Sequence, residues 1–476
     1  MSPRVPAIAL ALLLSPRAWP QDAKTAARSR DARGVALAQS GRVHEAIGEF
    51  RAALQLDPDF PDAVYHLGLA YDASGQTDEA IAQAEEALRR LPGFPPAEYL
   101  LAGCCRKRGD FEGELRLLAR ITKSAPGFAE ARYNYGIALQ RDGKLAEAVE
   151  ELRAAAQMDP KYLLALGLAL AGRDANEAVR VLRAAVEVAP QEPERRYDLA
   201  LALAAAGRED DAIPEFRAAL RIDPKHAAAR RGLGIALLHA DQLQAATAEL
   251  RQALEIAPRD AETANNLGLV QLRLNDIAAA IQSLELAIRI NPRLIKAHYN
   301  LAKAYQRAGR PQDARSETEI GAGLTAEQRS LGRAMVLVQS ARQRLEAKDF
   351  PAALQAAREA VAASPRFPDA QFELGRAILA SHGVRAEAVR AFREVLNLDP
   401  ERSDAHYQLG LALLDSDAKA ALEELRAAAL MAPCRVEFMR ALARAAEGAG
   451  DGAAAADQLR RIRAWEPDDQ SAAAHH

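Results

Sequence analysis

The chain has 476 residues and a formal net charge of −3 at pH 7, and it is 49% hydrophobic but only 5% aromatic. The balanced charge and the lack of a basic stripe argue against a protein that binds nucleic acid. A core built of alanine and leucine is expected instead, and because alanine has the highest helix propensity, the composition favours α-helices throughout.

The N-terminus is typical of an export signal. Arg4 is followed by an apolar run from Val5 to Leu14 and then by small residues. We expect residues 1–22 to be a signal peptide, cleaved between residues 18 and 23, and the protein to be exported to the periplasm or cell envelope. Arg17 and the lack of a clean small-x-small motif favour the alternative, a cytoplasmic protein. The run is too short to cross a bilayer, so no integral membrane span is expected.

A proline recurs through the rest of the chain at a spacing of 34 residues or within one of it, with two exceptions. The interval from Pro160 to Pro190 is 30 residues, and the interval from Pro292 to Pro365 is 73 residues. The full set is Pro58, Pro92, Pro126, Pro160, Pro190, Pro224, Pro258, Pro292, Pro365, Pro400, Pro433 and Pro467. A fixed period of this length indicates one structural unit copied many times.

Each period contains two segments whose apolar residues have helical spacing, as at residues 61–74 and 78–90. Gly68 and Ala80 are small, which predicts that the two helices cross there. The proline ends the second helix because it lacks an amide donor. The turn between the helices falls at a residue that accepts a left-handed conformation: Gly41, Gly75, Gly109, Gly143, Gly207, Asp241, Asn275, Gly309 or Gly450.

These units resemble the tetratricopeptide repeat, a 34-residue helix-turn-helix. The family pattern runs through Leu-Gly, Tyr, Ala, Ala and Pro, and one unit of this chain supplies Leu67, Gly68, Tyr71, Ala80, Ala87 and Pro92. About 13 such units cover residues 27–467. The resemblance implies an all-α fold, a right-handed superhelical α-solenoid in which each repeat packs on its neighbours.

The two irregular intervals are where the repeat pattern changes. In the first, the leading helix, Tyr162 to Ala171, is shortened. In the second, Thr325 is expected to be an N-cap, with Gln328 completing a capping box, and the helix that follows, Ala326 to Ala347, is longer than the others.

We interpret the second interval as a joint between two arrays. An N-terminal array of about nine repeats would occupy residues 27–322 and a C-terminal array of about four repeats residues 323–467, with a short tail at 468–476. The alternative is sequence drift within one repeat that still stacks continuously on its neighbours. The final helix is not followed by a solvating helix, which leaves a homodimer through that repeat open.

The sequence offers no constellation for chemistry. Cys104, Cys105 and Cys434 lack metal-ligand spacing and are interpreted as small core or groove residues without a redox role. The nine histidines are scattered, and no nucleophile elbow or phosphate loop is present. We therefore expect a protein that is not an enzyme and that has no cofactor and no metal site.

The resemblance to the family locates a binding surface, because its first helices line a concave groove for peptides. Tyrosine offers a rigid contact surface, and asparagine can pair with both groups of a peptide backbone. The candidate ligand-binding residues are Tyr65, His66, Tyr133, Asn134, Tyr197, Asp198, Asn265, Asn266, Tyr299, Asn300, Lys303 and Tyr407.

Two known modes of peptide binding were compared with these residues. Asn134, Asn266 and Asn300 match the asparagine ladder in the repeat domain of O-linked N-acetylglucosamine transferases, although no glycosyltransferase domain follows. The carboxylate clamp of chaperone cofactors, which needs Lys, Asn and Arg on successive units, is rejected, because Lys296, Asn300 and Lys303 cluster on one unit without matching neighbours.

These observations favour a non-enzymatic scaffold that binds peptide or protein segments in its groove and organises a protein assembly in the cell envelope. Two alternatives remain open. One is an accessory module that recruits substrates for an enzyme acting in trans, such as a transferase or protease, and the other is a self-assembling structural protein.

Overall fold

The computed structural model describes residues 20–465, and no β-strand occurs in that range. The helices are α1 (Pro20–Gln39), α2 (Val43–Leu56), α3 (Pro61–Ala73), α4 (Thr77–Arg90), α5 (Pro95–Lys107), α6 (Phe111–Ser124), α7 (Ala129–Arg141), α8 (Leu145–Met158), α9 (Leu163–Ala171), α10 (Ala175–Val188), α11 (Pro193–Ala205), α12 (Glu209–Ile222), α13 (Ala227–His239), α14 (Leu243–Ile256), α15 (Ala261–Arg273), α16 (Ile277–Ile290), α17 (Ile295–Arg307), α18 (Pro311–Glu346), α19 (Phe350–Ala363), α20 (Pro368–Ala380), α21 (Arg385–Leu398), α22 (Ser403–Leu413), α23 (Ala418–Met431), α24 (Val436–Gly448) and α25 (Gly452–Trp465). The expected all-α solenoid of helix-turn-helix repeats is confirmed.

The turns between paired helices form where the sequence predicts them. All nine predicted turn positions have a positive φ, from 59° at Asp241 to 81° at Gly75. A residue with this conformation ends the first helix and reverses the chain, so that the second helix packs back on the first. Lys348 and His382 adopt the same conformation, with φ of 59° and 53°, although their residue types gave no such indication.

Small residues allow the paired helices to approach closely. A Cβ atom added to Gly268 of α15 would lie 2.5 Å from Leu284 Cγ of α16, and one added to Gly136 of α7 would lie 2.6 Å from Leu152 Cγ of α8. Ala80, the predicted crossing residue of α4, is fully buried. The helix pair is therefore held at a distance that glycine and alanine set.

The chain forms two compact units. Within the described residues, unit 1 consists of residues 20–124 and 429–465, and unit 2 of residues 125–428. Within unit 2, one hydrophobic cluster runs without interruption from Val149 of α8 to Val270 of α15. That continuity is what a stack of repeats produces, because each repeat buries its apolar face on the next.

The shortened repeat is present as predicted, whereas the N-cap at Thr325 is wrong. A 3₁₀ turn at Pro160–Tyr162 precedes α9, which has 9 residues. By contrast, α18 runs through 36 residues without a break, and Thr325 lies inside it, donating its hydroxyl hydrogen bond to the carbonyl of Gly321 at 2.7 Å. The proline that ends other repeats would fall at Ala326, so nothing stops the helix there. The boundary between two arrays at 322/323 stays a prediction.

The interpretation of the three cysteines as small core or groove residues without a redox role holds for Cys104 but is wrong for Cys105 and Cys434. Cys105 on α5 and Cys434, which precedes α24, form a disulfide across 329 residues of sequence, and Cys104 is a buried free thiol. Both bonded cysteines belong to unit 1. The interpretation failed because sequence spacing carries no information on a pair brought together by tertiary structure.

The final helix is not an exposed end. Ile462 of α25 is fully buried, and Arg461 Nη2 lies 3.0 Å from Glu85 Oε1 of α4. The apolar end that motivated a homodimer is therefore packed within unit 1. No helix between residues 20 and 465 is long and apolar enough to cross a membrane. The predicted signal peptide, apart from its last three residues at the start of α1, and the tail at 468–476 lie outside the described residues.

Candidate protein-binding face

The predicted site residues occupy corresponding positions on the first helices of six repeats. Tyr65 and His66 lie on α3 in unit 1, and the others lie on α7, α11, α15, α17 and α22 in unit 2. We call the surface that these residues mark the first-helix face.

In unit 1, Tyr65 and His66 are half-buried. His66 Nδ1 lies 2.8 Å from Asp31 Oδ1 of α1, and the Tyr65 ring packs edge-on against Phe94 with centroids 5.8 Å apart. Both side chains link successive repeats, so part of each contact surface is already used in packing.

In unit 2, the short repeat forms an aromatic pocket. Tyr133 of α7 stacks on Tyr162 with ring centroids 4.7 Å apart, and Lys161 Nζ lies 4.8 Å from the centroid of the Tyr162 ring. The pocket has a volume of about 360 Å³ and is lined by Tyr133, Ile137, Gln140, Lys161, Tyr162, Leu164, Ala165 and Leu168. Asn134, next to Tyr133, is half-buried. Tyr162 was missed as a site residue because it precedes the shortened helix instead of lying at the repeat's usual position.

Tyr197 and Asp198 of α11 face the following repeat. The Tyr197 ring lies 5.0 Å from the His226 ring, centroid to centroid. Burial raises the pKa of Asp198 above its ordinary value, Glu194 raises it further, and His226 opposes the shift. On α22, Tyr407 is half-buried.

The asparagines of α15 and α17 interact with each other. Asn300 Nδ2 donates to Asn265 Oδ1 at 3.0 Å, and Asn265 is only 2% exposed. Asn265 therefore lies in the packing between repeats, and one amide hydrogen of Asn300 is used to hold it. Asn266 is half-buried, so Asn134, Asn266 and Asn300 all retain some exposed surface.

A pocket between α17 and α18 lies beside the predicted residues Tyr299 and Lys303. It has a volume of about 850 Å³ and is lined by Tyr299, Ala302, Lys303, Gln306, Pro311, Ala314, Arg315, Thr318 and Glu319. Lys303 and Arg315 are exposed, and Tyr299 Oη lies 3.3 Å from Thr325 Oγ1. We call this the α17–α18 pocket. Arg315 and Thr318 were missed because they lie on a second helix, outside the family's ligand positions.

A second and larger pocket lies between the start of α17, the middle of α18 and the residues that follow α19. Its volume is about 1080 Å³, and its lining includes Leu324, Glu327 and Leu331 of α18 together with Arg293, Lys296, Arg366 and Phe367. Arg293 Nη2 lies 2.5 Å from Glu327 Oε2. This pocket depends on the uninterrupted helix, whose middle turns replace the usual turn between repeats, and the sequence gave no signal for it.

The described residues offer no metal centre: between residues 20 and 465 no group of three or more His, Cys, Asp or Glu could hold a metal ion. The surface chemistry is that of tyrosine rings, amides and exposed cations. Such a face can bind a polypeptide through ring contacts, backbone hydrogen bonds and carboxylates.

The class of protein is defined by these repeats. One family model, described as a tetratricopeptide repeat, matches residues 32–95, 106–162, 168–227 and 338–383. A second model with the same description matches residues 73–133 and 203–267. A third model, described as a TPR repeat, matches residues 272–309. The chain belongs to the tetratricopeptide repeat family, whose members bind other proteins.

Several solved structures share the repeat. A crystal structure of MamA is 24% identical, covers 34% of this chain and 96% of that one, and has a TM-score of 0.32. A MamA fragment (41-end) from Desulfovibrio magneticus RS-1 is 25% identical over 35% of this chain and 94% of that one, with a TM-score of 0.33. The crystal structure of the APC/C hetero-tetramer Cut9-Hcn1 is 16% identical, covers 94% of this chain and 95% of that one, and has a TM-score of 0.36. No curated protein matches the chain.

Proposed function

We propose that this protein is a non-enzymatic scaffold that holds a segment of a partner protein on the first-helix face of unit 2 and organises an assembly in the cell envelope. The observation that carries the proposal is the α17–α18 pocket of about 850 Å³. It contains four residue types that bind polypeptides: a tyrosine, a glutamine, and the exposed cations lysine and arginine.

The pocket is suited to an acidic segment. Lys303 and Arg315 contribute two positive charges and Glu319 one negative charge, and within the described residues neither cation has an ion-pair partner within 4.0 Å. A carboxylate of the partner would supply the missing counter-charge. Tyr299, which is 36% exposed, offers a ring face beside those cations.

The disulfide supports a location outside the cytoplasm. Stable disulfides persist in oxidising compartments and are rare where glutathione and thioredoxin keep thiols reduced. The Cys105–Cys434 bond agrees with the predicted export signal at residues 1–22. The periplasm or cell envelope is therefore the proposed location, and the cytoplasm is the alternative.

Site-specific photo-crosslinking in the cells that make the protein tests the proposal. A photo-crosslinking amino acid replaces Lys303 in one variant and Arg289 in a matched control; Arg289 lies on the second helix α16 and its side chain is 65% exposed. We expect a discrete adduct with another protein from position 303 and none from position 289. Adding Tyr299→Ala and Arg315→Ala should reduce the adduct at least fivefold.

The identity of the adduct separates the alternatives. A non-catalytic envelope protein supports the scaffold, an enzyme supports a substrate-recruiting module, and a second copy of this chain supports self-assembly. Equal adducts from positions 303 and 289 would contradict binding at the first-helix face.

A further inference from the structure

Unit 1 is assembled from two stretches of chain that are far apart in sequence. Residues 20–124 form α1 to α6, and residues 429–465 contribute the end of α23, α24 and α25. The disulfide between Cys105 and Cys434 joins the two stretches. Both residues are buried, at 0% and 1% exposed. We call residues 429–465 the returning segment.

Three ion pairs connect the returning segment to the N-terminal repeats. Arg116 Nη1 lies 3.0 Å from Glu437 Oε2, and Arg435 Nη1 lies 2.5 Å from Glu112 Oε2; the third is the pair of Arg461 with Glu85. The Arg116 and Glu112 side chains are 42% and 55% exposed. Ion pairs this exposed contribute little to stability, and salt screens them, whereas the Arg461–Glu85 pair, whose side chains are 20% and 6% exposed, is largely shielded from solvent.

Next to the disulfide, the packing is tight and includes an unfavourable polar group. A Cβ added to Gly113 of α6 would lie 2.7 Å from Cys434 Cβ, so glycine is needed for the returning segment to approach. Asp110, which is 4% exposed, accepts a hydrogen bond from the Gly113 amide through Oδ1, but its Oδ2 has no hydrogen-bond partner. A buried carboxylate oxygen without a donor opposes this arrangement.

From this balance we infer that the Cys105–Cys434 disulfide is a redox latch: it holds the returning segment on the N-terminal repeats, and its reduction releases α24 and α25. The segment buries Phe438, Met439 and Ile462, and two of its ion pairs are partly exposed, whereas the covalent bond keeps the two surfaces at a high effective concentration. Loss of the bond removes that effective concentration, and the segment is then held by its apolar packing and its ion pairs alone.

The reductant is a dithiol, either a small molecule or a thiol oxidoreductase. One of its thiolates attacks one sulfur of the bond, forming a mixed disulfide, and the other cysteine leaves as a thiolate that takes up a proton. The second thiol of the reductant then attacks the mixed disulfide. The products are two protein thiols and an oxidised dithiol, so atoms and electrons balance.

Cys104 does not take part in this exchange. Its side chain is fully buried, and burial, with Asp72 nearby, raises the pKa of its thiol to about 12. Since the thiolate is the nucleophile in disulfide exchange, Cys104 cannot compete for Cys434 near neutral pH. The bond between Cys105 and Cys434 is therefore the single pairing that this environment favours.

Hydrogen exchange on the full chain tests the latch. Amide exchange in residues 436–463 is measured by mass spectrometry for the oxidised protein, the protein reduced with dithiothreitol, and the variants Cys105→Ser/Cys434→Ser and Cys104→Ser. We expect exchange in α24 and α25 to be at least tenfold faster after reduction and in the double variant, and unchanged in Cys104→Ser. Added salt should accelerate exchange further in the reduced protein, because it weakens the ion pairs.

The reduced wild-type protein decides the question if the double variant fails to fold, because its cysteines are intact and the bond is broken after folding. Protection of α24 and α25 that is the same before and after reduction would overturn the latch. Faster exchange spread equally over α7 to α16, which belong to unit 2, would also overturn it, because the bond would then stabilise the whole chain without selecting the returning segment.

Discussion

The close crossing of paired helices makes a quantitative prediction at Gly268. An added Cβ would lie 2.5 Å from Leu284 Cγ and 2.9 Å from Leu284 Cδ2, and Leu284 is fully buried. Ordinary carbon contacts lie at about 3.5–4.0 Å, so α15 and α16 must move apart or Leu284 must leave its rotamer. Overpacking of this kind costs about 1–3 kcal/mol. The higher helix propensity of alanine offsets about 1 kcal/mol of this cost. Gly268→Ala should therefore lower the free energy of unfolding of the α15–α16 repeat by up to about 2 kcal/mol.

Gly323 supplies the matched control. It lies inside α18, and an added Cβ there would meet no atom within 4 Å. Gly323→Ala therefore gains only the higher helix propensity of alanine, and it should raise the free energy of unfolding of α18 by about 1 kcal/mol. The two alanines have the same local effect, and only the neighbouring Leu284 distinguishes them.

Repeat arrays need not unfold in one step, so stability should be measured helix by helix. Native-state hydrogen exchange gives the opening free energy of α15 and α16 for Gly268→Ala and of α18 for Gly323→Ala. Urea midpoints measured by circular dichroism provide an independent check. Leu284→Ala should cost less in the Gly268→Ala background than alone, because the new methyl fills part of the cavity. If Gly268→Ala stabilises as much as Gly323→Ala, the close crossing is refuted.

Two further predictions concern buried carboxylates. Burial raises the pKa of Asp110 to about 6, against the opposing effects of its Gly113 hydrogen bond and of Arg435 and Arg116. The folded state therefore holds the proton more tightly than the unfolded state, and stability should fall by up to about 3 kcal/mol between pH 4 and pH 7. Asp110→Asn should remove this fall, measured as urea midpoints at both pH values, and parallel profiles would contradict the assignment. Glu373 is fully buried and is paired with Arg342 Nε at 2.6 Å and with Arg376 Nη1 at 3.0 Å, so Arg342→Ala leaves one partner in place and should destabilise the protein by about 1 kcal/mol. Adding Glu373→Gln should restore part of that loss, and no difference between the single and double variants in thermal unfolding would exclude the pair.

Local features could be predicted from the sequence because local physics decides them. Gly75 and Asn275 follow the first helix of a repeat, and both adopt the positive φ that the turn requires. The small residues at helix crossings follow from the same reasoning, since an added Cβ at Gly268 would overlap Leu284 and Ala80 is fully buried. These predictions were well determined because the same residue types recur at the same position in many repeats.

The errors arose where a single event departs from the repeat. Thr325 followed by Gln328 satisfies an N-cap pattern, yet α18 continues because Ala326 replaces the proline that would have ended it. The α17–α18 pocket could be predicted only in part, since Tyr299 and Lys303 lie at repeat positions and Arg315 does not.

The disulfide could not have been predicted from spacing. Cys105 and Cys434 are 329 residues apart, and their proximity depends on the packing of the returning segment within unit 1. The chain has three cysteines, two of them adjacent, so the sequence does not show whether Cys104 or Cys105 is the partner of Cys434. The environment of Cys104 resolves that choice only once the fold is known.

The central claim, that unit 2 holds a partner segment in the α17–α18 pocket, is tested most directly by photo-crosslinking from position 303 against position 289. The account predicts one discrete protein adduct from position 303, which is lost when Tyr299→Ala and Arg315→Ala are added, and no adduct from position 289. Equal crosslinking from both positions, or an adduct that persists when the pocket residues are replaced, would contradict it.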